Sequence, residues 1–330
     1  MTVNVTKPSL NLREEIAKAN KPSGIAGEAL LRADSVQDAR DQLNVGRKNL
    51  IINGGFDVWQ RGTSFTGDGY STDRCYSYAA TRGDTVSRST DVPTGEGFLY
   101  SYEVVMTQSH GHPLYRQRIE NFSTVCPNSK TKAISFWAKA SVPMNINSDL
   151  GDVGTTIHSI TTAWKRFTAI IPANSNPTYD ALDIQANSVA GTLWITGVQL
   201  ELGSVATDFE HRSYGEELAL AQRYFQKIGG GSYVSIGNAI NYYNGPRSFT
   251  NVQYIRTMRA NPTISIDGTL VATNRISYDT DITGIFTSNI GKDSAWIAFN
   301  RSSTSGALYD YEQVVVKNGT TAYLLLDAEL

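Results

Sequence analysis

Residues 133–139 of this chain are AISFWAK, and this stretch decides the fold class. Ile134 and Phe136 alternate with Ser135 and Trp137, and such alternation places the two sets on opposite faces of a β-strand. The apolar set predicts a face that packs against a core. We expect Trp137 on the other face, where it is covered by a neighbouring segment or offered to a ligand.

A sequence pattern typical of β-strands continues on both sides of this strand. From residue 49 onward, short apolar runs are separated by Gly, Asn, Asp and Pro, which is typical of antiparallel β-sandwiches and barrels. The strands predicted before residue 212 are Leu50–Ile52, Phe98–Met106, Tyr115–Glu120, Ala133–Lys139, Lys165–Ile171 and Leu193–Leu200. The later ones are Ser232–Ile236, Ala239–Tyr243, Thr263–Ile266, Arg275–Tyr278, Ile282–Phe286, Ala295–Phe299, Tyr311–Val316 and Ala322–Leu326. We therefore predict a mostly β chain with two antiparallel β-sandwiches, over residues 49–212 and 232–330.

One helix is predicted between the two sandwiches, in residues 213–231. Ser213 and Glu216 form a capping box. The apolar residues that follow have heptad spacing and form a seam: Tyr214, Leu218, Ala221, Phe225 and Ile228. Three glycines, at 229–231, should end the helix and leave a hinge. Two heptads are too few for an isolated coiled coil, so the helix packs on its own chain or meets copies of itself, and we expect the second.

The N-terminal residues 1–48 form a segment without aromatic side chains. All 5 Trp, 17 Tyr and 11 Phe lie at or after Phe56. Because aromatic residues supply much of the apolar area of a core, such a segment rarely builds a core alone. Short helices are predicted after Asn11 and Ser35 and near residues 27–33. The segment is either a frayed terminus or a docking and trimerising element.

Charge and hydropathy exclude several classes of partner. Lys and Arg number 29 against 31 Asp and Glu, so no basic excess exists to neutralise a phosphate backbone, and nucleic acid is not expected as a partner. No apolar run approaches the roughly 20 residues needed to span a bilayer, and the Met1 segment lacks a basic n-region followed by an apolar h-region, so we expect no export signal. We expect synthesis in a cytoplasm without membrane insertion, and two reduced, packed thiols at Cys75 and Cys126.

Several segments resemble one family in their order and spacing. The segments are 49–65 (NLIINGGFDVWQRGTSF), 71–74 (STDR), 134–139 (ISFWAK), 164–168 (WKRFT), 195–203 (ITGVQLELG), 207–218 (TDFEHRSYGEEL), 222–225 (QRYF), 258–263 (MRANPT) and 327–330 (DAEL). Together they are similar to the carbohydrate-binding-module-like jelly roll, and the terminal domain, of bacteriophage tail fibres. The stretch Val3–Leu43 resembles the virion-attachment end of fibre-like proteins from marine and cyanobacterial phages.

The resemblance implies a function and a location. The expected protein is a homotrimeric tail fibre in the virion tail, attached to a tail or baseplate protein through residues 1–48, with jelly-roll-like domains that recognise host surface polysaccharide. One alternative is a structural adaptor or spacer that contacts only other phage proteins. Another is a free carbohydrate-binding module of a secreted enzyme. The chain has no G-x-S-x-G, H-E-x-x-H, Walker or C-x-x-C motif and no solenoid period, so we expect no enzymatic activity.

Two clusters and one further residue are candidates for sugar binding, which requires flat aromatic faces for stacking and polar side chains for the hydroxyls. The first cluster comprises Tyr70, Asp73, Arg74, Tyr76 and Tyr78. The second comprises Tyr242, Tyr243, Trp296, Tyr309 and Tyr311. The further candidate is Trp137. Packing in a core or between chains is the alternative for each ring, and a structural ion pair is the alternative for Asp73 with Arg74.

Metal sites are a separate question, and no cofactor is expected beyond a structural ion. His110 and His112 lie on one side of an extended segment, and three copies around a threefold axis would offer an octahedral set of nitrogens suited to iron. The alternative for this pair is a polar loop before Pro113. The resemblance also implies a calcium ion near the first strand, for which Asp57 and Glu201 are the candidate carboxylates.

Overall fold

A computed structural model describes residues 48–78, 83–108, 113–186, 190–241, 246–274, 279–303 and 311–330. The chain divides into two compact units, Met1–Lys48 and Asn49–Leu330. All of the first unit except Lys48 lies outside the described residues, and so do the helices predicted there. The second unit carries both predicted β regions.

The described residues of the second unit form antiparallel strands almost throughout. The strands before residue 203 are β1 (Ser64–Phe65), β2 (Asp68–Tyr70), β3 (Tyr76–Tyr78), β4 (Thr85–Ser89), β5 (Ser101–Met106), β6 (Pro113–Arg118), β7 (Lys132–Ala140), β8 (Met144–Leu150), β9 (Val153–Ile160), β10 (Lys165–Ile171), β11 (Ala181–Ala186) and β12 (Gly191–Leu202). The later strands are β13 (Phe225–Gly230), β14 (Ser235–Ile240), β15 (Arg247–Gln253), β16 (Thr263–Asp267), β17 (Leu270–Thr273), β18 (Asp279–Ile290), β19 (Ser294–Arg301), β20 (Tyr311–Val316) and β21 (Ala322–Asp327). The helices are α1 (Phe122–Val125) and α2 (Tyr214–Ala221). The predicted mostly β, antiparallel fold is confirmed.

The strands before residue 203 form a β-sandwich. Its first sheet has the order β1-β4-β5-β12-β7-β10 and its second sheet the order β2-β3-β6-β11-β8-β9. The core contains residues of both sheets, and stacked rings of Phe56 and Tyr102, 5.2 Å apart, lie in it. Alternation in β7 works as predicted, since Ile134 and Phe136 are fully buried while Trp137 lies half-buried on the outer face.

The strands after residue 231 differ from the predicted second sandwich in how they close. Six of them form a barrel in the order β14-β15-β19-β18-β17-β20, and β13-β21-β16 form a separate three-stranded sheet. The pairing of β18 with β19 shifts register between Ile282 and Gly284 and again between Ile285 and Thr287. Such bulges bend a strand and increase its twist, so a short sheet can close on itself and lose its edges. The sequence pattern of alternating strands is the same for a sandwich and a barrel.

The predicted helix of residues 213–231 is correct only in its first half. The capping box of Ser213 and Glu216 is present, and α2 ends at Ala221. The residues Phe225 and Ile228, predicted as heptad positions, instead belong to β13, which pairs along its length with β21. Backbone pairing with a distant strand thus replaces the last turns of the predicted helix.

The glycines after this helix are part of a strand rather than a hinge. Gly229 and Gly230 lie in β13. Gly229 has φ of 135°, and a Cβ added there would lie 2.4 Å from the carbonyl oxygen of Ala322. Glycine is required at this position because the backbone conformation and the approach of β21 both exclude a side chain.

The α2 helix packs on its own chain, which is the first of the two alternatives, and its contact with other copies stays a prediction. Ala221 belongs to a small buried cluster with Ile52 and Val58, and Leu218 packs against the same cluster. Tyr214, the first residue of the predicted seam, is 58% exposed. The apolar side of the helix is therefore used against the start of the sandwich.

Candidate functional site

The first predicted cluster, around Asp73 and Arg74, is a buried structural junction. The Arg74 guanidinium contacts Glu329, donates to the carbonyl of Arg118 at 2.7 Å and lies 3.5 Å from the ring centroid of Tyr224. Arg74 is 1% exposed. These contacts occupy it with residues from three separate parts of the chain and leave no face for a ligand.

Asp73 is buried beside Arg74 but is paired with other residues, so the alternative of an Asp73–Arg74 ion pair is also wrong. Its two carboxylate oxygens accept from the backbone N–H and the side-chain amide of Gln60, each at 2.6 Å. Arg61 is the nearest cation, at 3.9 Å. Burial outweighs these partners and raises the pKa of Asp73 to about 6.

Tyr70 fastens the last residue of the chain to the sandwich. Its hydroxyl donates to the carbonyl of Leu330 at 2.8 Å. Burial, with the neighbouring carboxylate of Glu329, raises the pKa of this phenol to about 12. Tyr70 therefore acts with Arg74 to hold residues 327–330 against the sandwich.

Tyr76 and Tyr78 face outward on the second sheet, next to a polar network that the sequence did not reveal. Their ring centroids are 4.9 Å apart. Arg116 donates to the Tyr78 hydroxyl at 3.1 Å and binds Asp183 through two nitrogens, at 2.8 and 2.5 Å. Tyr179 donates to the same carboxylate at 2.6 Å. The polar groups of this face thus satisfy one another.

Trp137 lies on the outer face of the first sheet near a second self-contained group. Trp194 donates its indole N–H to Glu103 at 2.6 Å, and the Lys139 amine lies 4.8 Å from the Trp194 ring centroid. The same amine is paired with Asp91. Sequence reasoning selected Trp137 and missed Trp194, although both positions alternate outward in predicted strands.

The second predicted cluster contributes two residues to a concave site on the outside of the barrel. Trp296 and Tyr311 line a concavity of about 510 Å³. The other lining residues are Asn238, Ala239, Ile240, Phe249, Thr250 and Asn251. Trp296 is 41% exposed and Tyr311 is 84% exposed. We call this feature, with its eight lining residues, the barrel concavity.

Strand register explains why these side chains converge. Ile240 on β14 pairs with Phe249 on β15 and with Tyr311 on β20, so their side chains share one face. Trp296 pairs with Asn251, and its ring lies 5.1 Å from that of Phe249 at an interplanar angle of 37°. The result is a tilted aromatic pair with an exposed tyrosine across the concavity.

The polar groups of the barrel concavity are neutral. Asn238 and Asn251 present exposed amides, and Thr250 donates its hydroxyl proton to the carbonyl of Asn238 at 2.6 Å. Sequence reasoning missed these residues together with Ile240 and Phe249. Alternation in β15 would have placed Phe249 outward, but nothing local to that strand indicates its proximity to Trp296.

Five further candidates lie outside the described residues: Tyr242, Tyr243, Tyr309, His110 and His112.

The two proposed calcium ligands are not brought into a metal site. Glu201 accepts from the backbone N–H and the hydroxyl of Thr207, both at 2.8 Å, and from the Gln199 amide at 3.0 Å. Burial and the nearby Glu217 raise the pKa of Asp57. Across the residues that the structure describes, no three His, Cys, Asp or Glu side chains are grouped in a way that could hold a metal ion.

The cysteines follow the sequence prediction. Cys75 and Cys126 are both free and buried. Burial raises the pKa of Cys75 to about 12 and that of Cys126 to about 11, so both stay protonated at neutral pH. Neither helix in the described part of the chain is long and apolar enough to cross a membrane.

Comparison with known proteins gives structural neighbours only. No family model and no curated protein matches this chain. It is similar to a putative sugar binding protein from Bacteroides thetaiotaomicron, with 13% identity and a TM-score of 0.34 over 47% of this chain and 100% of that chain. It is also similar to the tandem CBM22 domains of Paenibacillus barcinonensis Xyn10C, with 9% identity and a TM-score of 0.33 over 86% of this chain and 98% of that chain.

A phage protein is among the neighbours. The enzymatically active domain of tailspike protein 4 of bacteriophage CBA120 has 17% identity and a TM-score of 0.30, over 47% of this chain and 21% of that chain. The neighbours are mainly carbohydrate-binding-module jelly rolls at low identity and low TM-score. We therefore infer the function from the geometry of the chain itself.

Proposed function

We propose that this chain is a non-enzymatic, glycan-binding component of a bacteriophage tail fibre, and that the barrel concavity is its glycan site. The observation that carries the proposal is the exposed Trp296 ring, tilted against Phe249 and flanked by the amides of Asn238 and Asn251. The volume of about 510 Å³ lies within the range of small-ligand sites.

The chemistry of the concavity suits a sugar. A sugar ring presents C–H groups on a face and hydroxyls at its edge, so it stacks on an aromatic ring and hydrogen-bonds to polar groups beside that ring. Trp296 supplies the ring face, and each asparagine amide supplies both donors and an acceptor. Among the described residues that line the concavity there is no carboxylate, imidazole or thiol, which supports binding without catalysis.

The two sheet faces of the sandwich are weaker candidates because their polar groups already have partners. Arg116 and Asp183 hold each other on the second sheet, and Lys139 covers Trp194 on the first. A sugar would have to replace these contacts to bind there. In the barrel concavity a sugar would meet two exposed amides, of which that of Asn238 accepts one long hydrogen bond, at 3.5 Å, from Gln313.

The finer parts of the proposal rest on the resemblance of residues 3–43, 49–228, 258–263 and 327–330 to phage fibres and fibre-like phage proteins. They are a homotrimer, attachment to a tail or baseplate protein through residues 1–48, a place in the virion tail and host surface polysaccharide as the ligand. Three weak sites on one fibre would raise the overall affinity through multivalency.

The test is binding of the full-length chain to purified host surface polysaccharide. Trp296→Ala should weaken binding roughly tenfold or more, because it removes the stacking face. Phe286→Ala is the matched control, since Phe286 is a 50% exposed aromatic residue of the barrel that packs against Arg247 and does not line the concavity. Equal binding of the wild type and Trp296→Ala would contradict the proposed site.

A structural adaptor is the second candidate, favoured by the apolar character of the same surface. Exposed aromatic patches also mark protein contacts. In that case the concavity is buried between copies or against another virion protein. Light scattering separates the two functions: the adaptor requires that Trp296→Ala lowers the oligomer mass and that the wild type binds no glycan.

A further inference from the structure

We infer that the barrel concavity selects neutral sugars that carry a methyl group, such as acetamido and 6-deoxy sugars, over plain hexoses and over acidic sugars. The inference rests on the proposed function and assigns a ligand class to the same site. The apolar surface, the hydrogen-bonding groups and the charges of the lining each support it.

The apolar part of the lining exceeds what one sugar face requires. Trp296 and Phe249 supply the stacking surface, and Ile240 adds a branched aliphatic side chain that is 39% exposed. Ile240 lies directly beside Phe249 in the strand register. A ring stacked on Trp296 therefore has an aliphatic contact at its edge, where a methyl substituent fits and a hydroxyl loses water without a partner.

The polar part of the lining is small. The hydroxyl proton of Thr250 is already donated to the Asn238 carbonyl, at 2.6 Å. Among the described lining residues, the side-chain groups that can pair with a ligand are the amide of Asn251, the amide of Asn238, whose oxygen also accepts from Gln313 at 3.5 Å, the indole N–H of Trp296 and the hydroxyl of Tyr311. A 6-deoxy sugar brings one hydroxyl fewer to these groups than the matching hexose does, and an acetamido group replaces a hydroxyl with a methyl-bearing amide that can pair with an asparagine amide.

The charges near the concavity are directed elsewhere. Glu312, the neighbour of Tyr311, is fully buried with Arg301 at 2.6 Å. Arg247, two residues before Phe249, lies 3.4 Å from the ring centroid of Phe286. No Lys or Arg is among the lining residues that the structure describes, so a uronic or sialic carboxylate would lose water there and gain no cation from them.

The experiment titrates the full-length chain with matched sugars and follows binding by NMR. The pairs are N-acetylglucosamine with glucose, fucose with L-galactose, and galacturonic acid with galactose. The methyl-bearing member of each of the first two pairs should bind roughly tenfold more tightly, and galacturonic acid should bind more weakly than galactose. Trp296→Ala should abolish all of these differences.

Ile240 provides the variant that tests the selection itself. Ile240→Thr keeps a β-branched residue in the strand but places a hydroxyl at the contact, and it should reduce the preference to less than about threefold. Ile240→Val is the control and should keep the preference. Circular dichroism of both variants should match the wild type, because the side chain is on the outside of the barrel.

The outcomes separate this inference from the proposed function. Binding that requires Trp296 but is equal within the first two pairs overturns the selectivity and leaves the glycan site. Binding of host polysaccharide without binding of either methyl-bearing sugar also overturns the selectivity. No binding of any sugar or of the polysaccharide contradicts the proposed function as well.

Discussion

The junction around Arg74 and the barrel concavity around Trp296 contain the same kinds of residue and differ in what those residues contact. At the junction, Arg74 is 1% exposed and is taken up by Glu329, the Arg118 carbonyl and the Tyr224 ring. In the concavity, Trp296 is 41% exposed and its neighbours include two solvent-accessible amides. Both were selected from sequence for the same reason, as aromatic residues near polar ones.

Aromatic clusters can be located from the sequence, but their role depends on whether the polar groups beside them already have hydrogen-bond partners within the chain. A charged group surrounded by aromatic rings is stable in a folded chain only when its hydrogen bonds are made internally, as at the junction. A ligand site requires the opposite, polar groups that only water satisfies. The two regions should therefore respond to substitution in opposite ways, one in stability and the other in binding.

The largest expected effect is on stability at the junction. Arg74→Ala leaves the buried carboxylate of Glu329 without its main partner, and removal of one member of a buried pair costs about 3–5 kcal/mol. Urea unfolding of the full-length chain measures this loss. Arg223→Ala is the control, because its pair with Glu120 is half exposed and should contribute less than about 1 kcal/mol.

The same variants sharpen the comparison when glycan binding is measured under conditions where each is folded. Arg74→Ala should bind glycan within about twofold of the wild type, since the affected groups do not line the concavity. A loss of binding as large as that of Trp296→Ala, in protein with native circular dichroism, would place the glycan site at the junction instead.

The next effect is a pH dependence of stability that originates at Asp73. The pKa of Asp73 is about 6 in the folded chain against its ordinary value of 3.8, so the folded state binds more protons between these values. The free energy of unfolding therefore falls as pH rises from 4 to 7, by up to about 3 kcal/mol from this group. Asp73→Asn should remove that component of the pH dependence.

Unfolding titrations at several pH values compare the wild type with Asp73→Asn. The exposed Asp267 supplies a control, since Asp267→Asn should follow the wild-type profile. Parallel profiles of the wild type and Asp73→Asn would show that Asp73 is not the source. Glycan binding should stay constant over the same range, because the described lining residues of the concavity include no carboxylate or imidazole.

The parts of the fold that could be predicted are those that depend on the alternation of inward-facing and outward-facing residues along a single strand. Ile134, Phe136 and Trp137 show it directly, since the strand and its two faces follow from neighbours in sequence. Phe225 and Ile228 show its limit: their spacing fits a helix, but pairing with β21, far along the chain, makes them a strand. Barrel closure depends on long-range pairing in the same way.

The candidate site was predictable in part for the same physical reason. Trp296 and Tyr311 are aromatic residues of outward-alternating strands, and they were identified. Phe249 and Ile240 complete the concavity only through the register of β14 with β15 and β20. Arg74 was misjudged because its partner Glu329 is among the last residues of the chain.

The smallest expected effect concerns Tyr76, a partly exposed aromatic residue of the sandwich that lies beside Tyr78. Tyr76→Ala should change glycan affinity by less than about twofold, because the polar groups around it are held by Arg116 and Asp183 and have little capacity left for hydroxyls. Tyr311→Ala, which removes an 84% exposed ring of the concavity, is the matched comparison and should weaken binding more, by roughly threefold to tenfold. The polysaccharide titration used for Trp296→Ala measures both. If Tyr76→Ala weakened binding more than Tyr311→Ala, exposed rings would bind sugar even where their polar neighbours are saturated, and the distinction between the two regions would fail.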